Sequence, residues 1–188
     1  MKKGFCLFAH ALLLIFLISL PSYAGTIYIA PSPTTVLAGQ TFTLGVNVTG
    51  ITDLYAFQFD LAFNPAVISA TGISEGPFLP GGGTTFFIPG SIDNVTGAIT
   101  STADVVIGAV LGVSGNGTLA WIDFQALAVG TSSLDLSNLL FLDSTGSDIT
   151  VTSQSGSVVV GTAVPEPSTI LLLVGGLIGL AALARGRH

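Results

Sequence analysis

The stretch from Gly25 to Val164 contains no lysine, arginine, histidine or cysteine. All of these residues lie near the two ends of the chain: Lys2, Lys3, Cys6, His10, Arg185, Arg187 and His188. A serine nucleophile has no base to activate it here, and a thiol mechanism has no thiol. Zinc and copper sites lack their preferred ligands, nucleic acids and phosphate groups lack cationic partners, and no disulfide can form within the stretch.

Acidic residues are the only charged groups in this central stretch. The chain has ten Asp and Glu residues, and all but Glu166 lie there, which leaves nine acids and a net charge of −9. Carboxylates alone permit a glycosidase-type acid pair or a site for a hard cation such as calcium. Because the loops are short, they leave little room for a sugar-binding cleft. We therefore expect no enzyme, no nucleic-acid partner and no cofactor. Two alternatives stay open, which are bound Ca²⁺ and a carboxylate-only hydrolase with two acids about 5–10 Å apart in a cleft.

The N-terminus has the layout of a secretory signal peptide. Lys2 and Lys3 precede an almost wholly apolar run from Phe5 to Leu20, and small residues stand at Ser22 and Ala24. This pattern predicts a signal helix over residues 1–24 and cleavage between Ala24 and Gly25. The protein is therefore expected to work outside the cytoplasm, and an uncleaved membrane anchor is the alternative.

The C-terminus carries a second apolar run, from Thr169 to Ala184, which is followed by the basic end 185–188. Sixteen helical residues reach roughly 24 Å, somewhat less than the ~30 Å hydrocarbon core of a bilayer. The pattern predicts one transmembrane helix, with the arginines on the cytoplasmic side.

Directly before this run stands the sequence Val164-Pro165-Glu166-Pro167-Ser168. Motif, apolar run and basic end in this order resemble the PEP-CTERM sorting signal of Gram-negative bacteria. The resemblance implies that an exosortase-type membrane protease reads Pro165, Glu166 and Pro167. It implies a sorting tail over residues 163–188, and a protein that is held in the membrane before it reaches the cell surface or extracellular matrix.

The region between the two ends has the pattern of short strands separated by turns. Apolar and polar residues alternate from Gln40 to Thr49 and from Leu54 to Phe63, which is the period of half-buried strands. Further strands are predicted over 66–73, 98–106, 118–128, 132–143 and 149–160, with a turn at Asp93–Gly97 in which Gly97 tolerates positive φ. About nine strands without helical periodicity predict one antiparallel β-sandwich over residues 25–162.

Residues 54–79 carry a second resemblance. The run Leu54-Tyr55-Ala56-Phe57-Gln58-Phe59-Asp60-Leu61-Ala62-Phe63-Asn64-Pro65-Ala66-Val67-Ile68 is similar to the signature region of cohesin domains, and 71–79 continue it. Residues 117–128 and 143–149 fit later strands of that family. The resemblance implies a nine-stranded jelly-roll sandwich related to carbohydrate-binding modules, with a dockerin-like protein as partner.

Trp121 is the only tryptophan and our candidate for a ligand contact. Strand alternation places Trp121, Asp123 and Gln125 on one face and Ile122, Phe124 and Ala126 on the other. An exposed aromatic ring beside polar side chains is a common way to hold a sugar or a protein partner. Partial packing of Trp121 under a loop is the more ordinary alternative.

Two loops have ordinary and functional interpretations. The Gly-rich loop Pro80–Gly83 is either a binding loop or a connector to a core strand at Phe86, Phe87 and Ile88. The turn from Asp143 to Asp148 lacks the spacing of an EF-hand, which favours a turn held by Asp side chains over a calcium site.

The sequence thus favours an exported, non-catalytic module at the cell surface or in the matrix that binds a protein or a polysaccharide. The alternative is a structural protein of an exopolysaccharide matrix, without a discrete ligand site.

Overall fold

The computed structural model describes residues 25–162, and within them the chain is almost entirely β-structure. Ten strands follow one another: β1 (Gly25–Ala30), β2 (Thr34–Leu37), β3 (Thr41–Phe63), β4 (Ile68–Glu75), β5 (Ser91–Asp93), β6 (Ala98–Val105), β7 (Val113–Ala126), β8 (Gly130–Asp143), β9 (Val151–Gln154) and β10 (Gly156–Gly161). A short 3₁₀ turn at Leu79–Gly82 is the one helical element of these residues.

The 23-residue strand β3 belongs to both layers of the sandwich. Its first half pairs with β1 and β7, and its second half pairs with β6 and β8. The first layer therefore has the order β9-β1-β3-β7-β4, and the second has the order β5-β6-β3-β8-β10-β2. Pairing is antiparallel except between β1 and β9 and between β2 and β10.

The corner where β3 crosses between the layers is built from polar side chains. Gly50 and Asp53 both have positive φ, at 67° and 56°. The Asp53 carboxylate accepts hydrogen bonds from Gly112 N at 2.7 Å and from Ser144 Oγ at 2.7 Å. These bonds tie the corner to the end of the loop before β7 and to the start of the loop after β8. Asn116 accepts from Gly50 N at 2.7 Å, so that both bent residues are fixed.

Alternating residues of both layers point inward and form one apolar core. Phe63 from the second half of β3 meets Phe124 of β7 edge to face, with 5.6 Å between the ring centres. Phe57 stacks on Phe59 and on Phe141 of β8. Phe42 stacks on Phe124 at 5.6 Å. Aromatic pairs of this kind add to the free energy gained from burial.

The all-β sandwich expected from the sequence is confirmed, but the strand count differs. The two strands expected over 40–49 and 54–63 are one strand, because β3 bends at Gly50 to Asp53 without leaving the extended conformation. The strand expected over 149–160 is split in two at Ser155. The short strands β2 and β5 carry too few residues to show a clear alternation.

Residues 86–88 do not form the core strand that the sequence suggested. Phe86 is 59% exposed and Ile88 is 45% exposed. The segment forms only isolated bridges, from Ile88 to Ala103 of β6 and from Thr85 to Val106 just after β6.

Both terminal segments of the sequence analysis lie outside the described residues. This holds for the signal helix over 1–24 and for the transmembrane helix over 169–184. Within residues 25–162, no helix has the length and hydropathy needed to cross a membrane.

Gly97 is expected to be irreplaceable in the turn between β5 and β6. Its φ is +75°, and an added Cβ would lie 2.2 Å from the Phe63 carbonyl oxygen. Gly146, with φ +81°, has no atom within 4 Å of such a Cβ. We expect Gly146→Ala to lower the free energy of unfolding by about 1 kcal/mol through backbone strain alone, and Gly97→Ala by about 3 kcal/mol through strain plus the clash. Urea unfolding of both variants checks this, and equal losses would contradict the packing argument.

Candidate functional site

Trp121, Asp123 and Gln125 lie side by side on the outer surface of the first layer, as their alternation predicts. All three are exposed, while Ile122 and Phe124 between them are buried. We call these three residues the polar strip. The strip runs along β7, whose neighbours on either side are β3 and β4, so each of its side chains is flanked by residues of both strands.

Small residues beside Trp121 let its ring lie against the sheet. Its register partners are Gly45 on β3 and Ser74 on β4, and a Cβ at Gly45 would stand only 3.0 Å from Trp121 Cζ3. The residue keeps 39% of its surface exposed. A flat indole ring with one open side provides a stacking surface of the kind that sugars use.

The remaining polar strip offers hydrogen-bonding groups next to this ring. Asp123 Oδ1 accepts a hydrogen bond from Thr43 Oγ1 at 2.5 Å, which fixes the carboxylate on the sheet. Gln125 lies between Thr41 and Ser69 in the strand register. Thr43 therefore orients the Asp123 carboxylate, and the negative charge of Asp123 disfavours an anionic group beside the polar strip.

A second surface, on the outer side of the second layer, was not identified from the sequence. It contains a shallow pocket of about 180 Å³ above β3, β6 and β8. We call it the outer pocket. Its walls are mainly apolar, and its side chains include Gln58, Phe86, Ile88, Val105, Leu140 and Leu142.

The outer pocket is unusual because large apolar side chains stand in solvent around it. Phe86 is 59% exposed, Ile88 45% and Leu140 44%. Single exposed apolar residues are ordinary on protein surfaces, but a contiguous group around a concavity marks a binding surface. Sequence patterns missed it because Phe86–Ile88 and Leu139–Leu142 are unbroken apolar runs, which look like buried strands.

The outer pocket is held in place by backbone hydrogen bonds between the 84–88 segment and β6. Phe86 N donates to Val105 O at 2.9 Å, and Ile88 N donates to Ala103 O at 2.8 Å. Ala103 N donates back to Ile88 O at 3.0 Å. Phe86 and Ile88 are therefore positioned by the strand that carries Asp104.

Asp104 and Glu75 form an acid pair between the layers, in which Asp104 is buried and Glu75 is half-buried. Asp104, on β6, is 2% exposed, and its Oδ2 has no hydrogen-bond donor among the described residues. Glu75, the last residue of β4, accepts a hydrogen bond from the Thr85 hydroxyl. Burial, followed by the charge of Glu75, raises the pKa of Asp104 to about 7. Two carboxyl groups can hydrogen-bond to each other only when one of them is protonated.

The turn after β8 has the Asp-held form expected from its sequence. Asp143 Oδ1 accepts hydrogen bonds from Thr145 N at 2.8 Å, Thr145 Oγ1 at 2.7 Å and Ser147 N at 2.9 Å. The hydrogen bond from the Thr145 hydroxyl is the main cause that lowers the pKa of Asp143. Within residues 25–162, no three acidic side chains are grouped as a metal site would need.

Of the residues tied to targeting, only Gly25 lies in the described part of the chain. It begins β1 and pairs with Val151 of β9. Ala24 and the sorting motif Pro165, Glu166 and Pro167 lie outside the described residues.

Known proteins define the class of this sandwich. A family model for the cohesin domain matches residues 30–160, and a model for the PEP-CTERM protein-sorting motif matches residues 163–187. No curated protein is similar to the chain at a significant level.

Solved structures with the same fold are also cohesins. A non-cellulosomal cohesin from the archaeon Archaeoglobus fulgidus has a TM-score of 0.59 at 14% identity, covering 74% of this chain and 92% of its own. A cohesin in a type I cohesin–dockerin complex from Clostridium thermocellum has a TM-score of 0.61 at 11% identity, covering 73% and 99%. A cohesin from Acetivibrio cellulolyticus, solved with a dockerin, has a TM-score of 0.60 at 17% identity, covering 74% and 99%. At these identities the likeness establishes the fold alone.

The sandwich is thus a non-catalytic binding module rather than an enzyme. The chain belongs to the cohesin domain family and carries a PEP-CTERM sorting motif, which indicates an exported protein of the cell surface.

The acid pair predicts an unusual dependence of stability on pH. Because the pKa of Asp104 is raised to about 7 in the folded state, the folded state binds the extra proton, and stability falls as pH rises from about 4 to 7. The pKa values of Asp53, Asp93 and Asp143 are lowered by hydrogen bonds, so their contribution is lost as pH falls below 3.8. Stability should therefore be greatest in mildly acidic solution.

Urea unfolding at pH 5 and pH 8 tests this prediction. We expect the protein to be less stable at pH 8 by about 1 to 2 kcal/mol, below the full value of the shift because Glu75 is only half-buried and solvent screens the pair. Asp104→Asn should remove this difference and leave the loss at low pH unchanged. A wild-type protein equally stable at pH 5 and pH 8 would contradict the assignment.

Proposed function

We propose that this cohesin-family module binds a protein partner through the outer pocket. The observation that carries the proposal is the exposure of Phe86, Ile88 and Leu140 around one concavity. The core of a protein interface is depleted in charge and enriched in aromatic and aliphatic side chains. The outer pocket has this composition, and a dockerin-like module is the partner class that the solved cohesin complexes support.

Charge limits the kind of partner further. Asp104 is the one acidic residue that lines the outer pocket, and it is buried, while the domain around the pocket carries nine acids and no base. Asp60 lies on the same surface of β3 as Gln58, where it accepts hydrogen bonds from Ser101 N at 2.7 Å and Asn138 Nδ2 at 2.5 Å. A partner with an apolar anchor and a basic rim would complement this surface and gain in association rate.

The two ends of the chain support a proposal for an export route. We propose a signal segment over 1–24 cleaved before Gly25, a binding domain over 25–162, and a sorting tail over 163–188. The apolar run 169–184 would hold the protein in the membrane until an exosortase-type enzyme acts near Pro165, Glu166 and Pro167. Release or display at the cell surface or in the matrix would follow.

The polar strip supports a second candidate function, which is the binding of a polysaccharide. Its support is the half-open ring of Trp121, with Asp123 and Gln125 as hydrogen-bonding neighbours. Because the polar strip and the outer pocket lie on opposite layers, a protein partner and a polysaccharide would not compete.

The outer pocket is tested by one substitution and a matched control. Leu140→Gln should lower the capture of partner proteins from the secretome by about tenfold, since truncating an interface anchor costs 1 to 2 kcal/mol or more. Val129→Gln changes an apolar residue of similar exposure, 59%, in the turn between β7 and β8 and should leave capture unchanged. Captured proteins are identified by mass spectrometry, and a purified dockerin module is added as competitor. Equal capture by both variants would reject the outer pocket as the site.

The polar strip is tested by binding to exopolysaccharide in affinity electrophoresis. Trp121→Ala should abolish retardation by the polysaccharide, while Trp121→Phe should keep part of it because an aromatic face remains. Retardation that Trp121→Ala leaves unaltered would exclude the polar strip. Absence of retardation in the wild type, with normal accumulation of the protein in the matrix, would favour a structural role instead.

A further inference from the structure

The acid pair stands at the point where the segment carrying Phe86 and Ile88 is attached. Asp104 lies between Ala103 and Val105, and these two residues accept the backbone hydrogen bonds of Ile88 and Phe86. Glu75 holds the same segment from the other side through the hydroxyl of Thr85. The acid pair therefore lies at both attachments of the segment that carries Phe86 and Ile88, which are β6 on one side and Thr85 on the other.

Nothing around the acid pair compensates two negative charges. Phe57 of β3 is paired with Asp104, and Ala120 of β7 is paired with Glu75. Tyr55 is a titratable residue of β3 two positions from Phe57, and its hydroxyl donates to Gly108 O at 2.6 Å. No base exists anywhere between Gly25 and Val164. Two neighbouring carboxylates without a cation repel each other, and the buried Asp104 also loses hydration, which the protein avoids by keeping a proton.

The hydrogen-bond inventory indicates where this proton sits. Asp104 Oδ1 already accepts from Val105 N at 2.8 Å, whereas Oδ2 has no donor. A proton held between Oδ2 and the Glu75 carboxyl would satisfy this buried atom. It would also link β4 of the first layer to β6 of the second layer.

We propose that Glu75 and Asp104 share one proton, and that this proton holds residues 84–88 against β6. The outer pocket therefore keeps the wall formed by Phe86 and Ile88 only while the proton is bound. This inference deepens the proposed function, because it makes partner binding at the outer pocket dependent on pH. When the proton leaves in alkaline solution, the acid pair becomes doubly charged. Repulsion and water entry then open the segment locally, while the rest of the sandwich stays folded.

Hydrogen exchange measures this opening without any partner. The purified full-length protein in mild detergent is exchanged at pH 5.5 and pH 8.5, and protection is corrected for the intrinsic effect of pH on exchange. We expect the protection factors of the Phe86 and Ile88 amides to fall by about tenfold or more at pH 8.5. An attachment that needs a bound proton weakens about tenfold for each pH unit above the pKa of the acid pair. The amide of Ile149, which donates to Phe141 O at 2.8 Å in another loop, serves as control and should not change.

Two variants assign the effect to the acid pair. Asp104→Asn and Glu75→Gln each leave a neutral hydrogen-bonding partner for the remaining carboxylate, so the protection of Phe86 and Ile88 should no longer depend on pH. The second variant keeps the test valid if the first does not fold. Unchanged protection in the wild type between pH 5.5 and pH 8.5 would overturn the proposal, and so would an equal loss in both variants. Failure to capture a partner through the outer pocket would leave this result untouched, so the two proposals fail separately.

Discussion

The structure depends on one electrostatic constraint, which is that every charge in the sandwich is negative. With no lysine, arginine or histidine between Gly25 and Val164, no carboxylate of the domain can form a salt bridge to another side chain of the domain. The negative charge of the carboxylates is therefore stabilised by hydrogen bonds from backbone N–H groups and hydroxyls. At Asp53, Asp93 and Asp143 they do so well enough to lower the pKa of each carboxyl group, chiefly through Ser144, Thr96 and Thr145. Each of these aspartates holds a turn or corner, so the acids fix the loops that the strands require.

At the Glu75–Asp104 pair, backbone N–H groups and hydroxyls do not stabilise both carboxylates, and this has a structural reason. Asp104 alternates into the core along β6, where the donors of neighbouring strands are already used in the sheet. A hydrophobic residue at this position would be simpler and more stable. Instead, Asp104 places a carboxyl group next to that of Glu75, where the segment carrying Phe86 and Ile88 is attached to β6. A proton is the smallest positive charge that resolves the conflict, and its occupancy varies with the surroundings of an exported protein.

Alternation in the sequence predicted which residues share a face but not what covers that face. Trp121, Asp123 and Gln125 could be placed together because a strand has a period of two, and the structure places them so. The outer pocket could not be found this way. Its apolar residues 86–88 and 139–142 have the composition of core strands, and hydropathy does not distinguish a residue buried by its own chain from one left for a partner. The bend of β3 was likewise hidden, because Asp53 adopts positive φ only with the donors of two distant loops.

Strand β3 explains how one small domain can present two chemically different surfaces. Its first half shows Thr43 and Gly45 to the outside, which leaves room for the Trp121 ring and a donor for Asp123. Its second half shows Ala56 and Gln58, which form the floor of an apolar concavity. Since the same strand crosses from one layer to the other, the two surfaces are rigidly related but face away from each other. A domain of this kind can carry two separate surfaces without enlarging either, and this geometry is compatible with both of the binding functions proposed above.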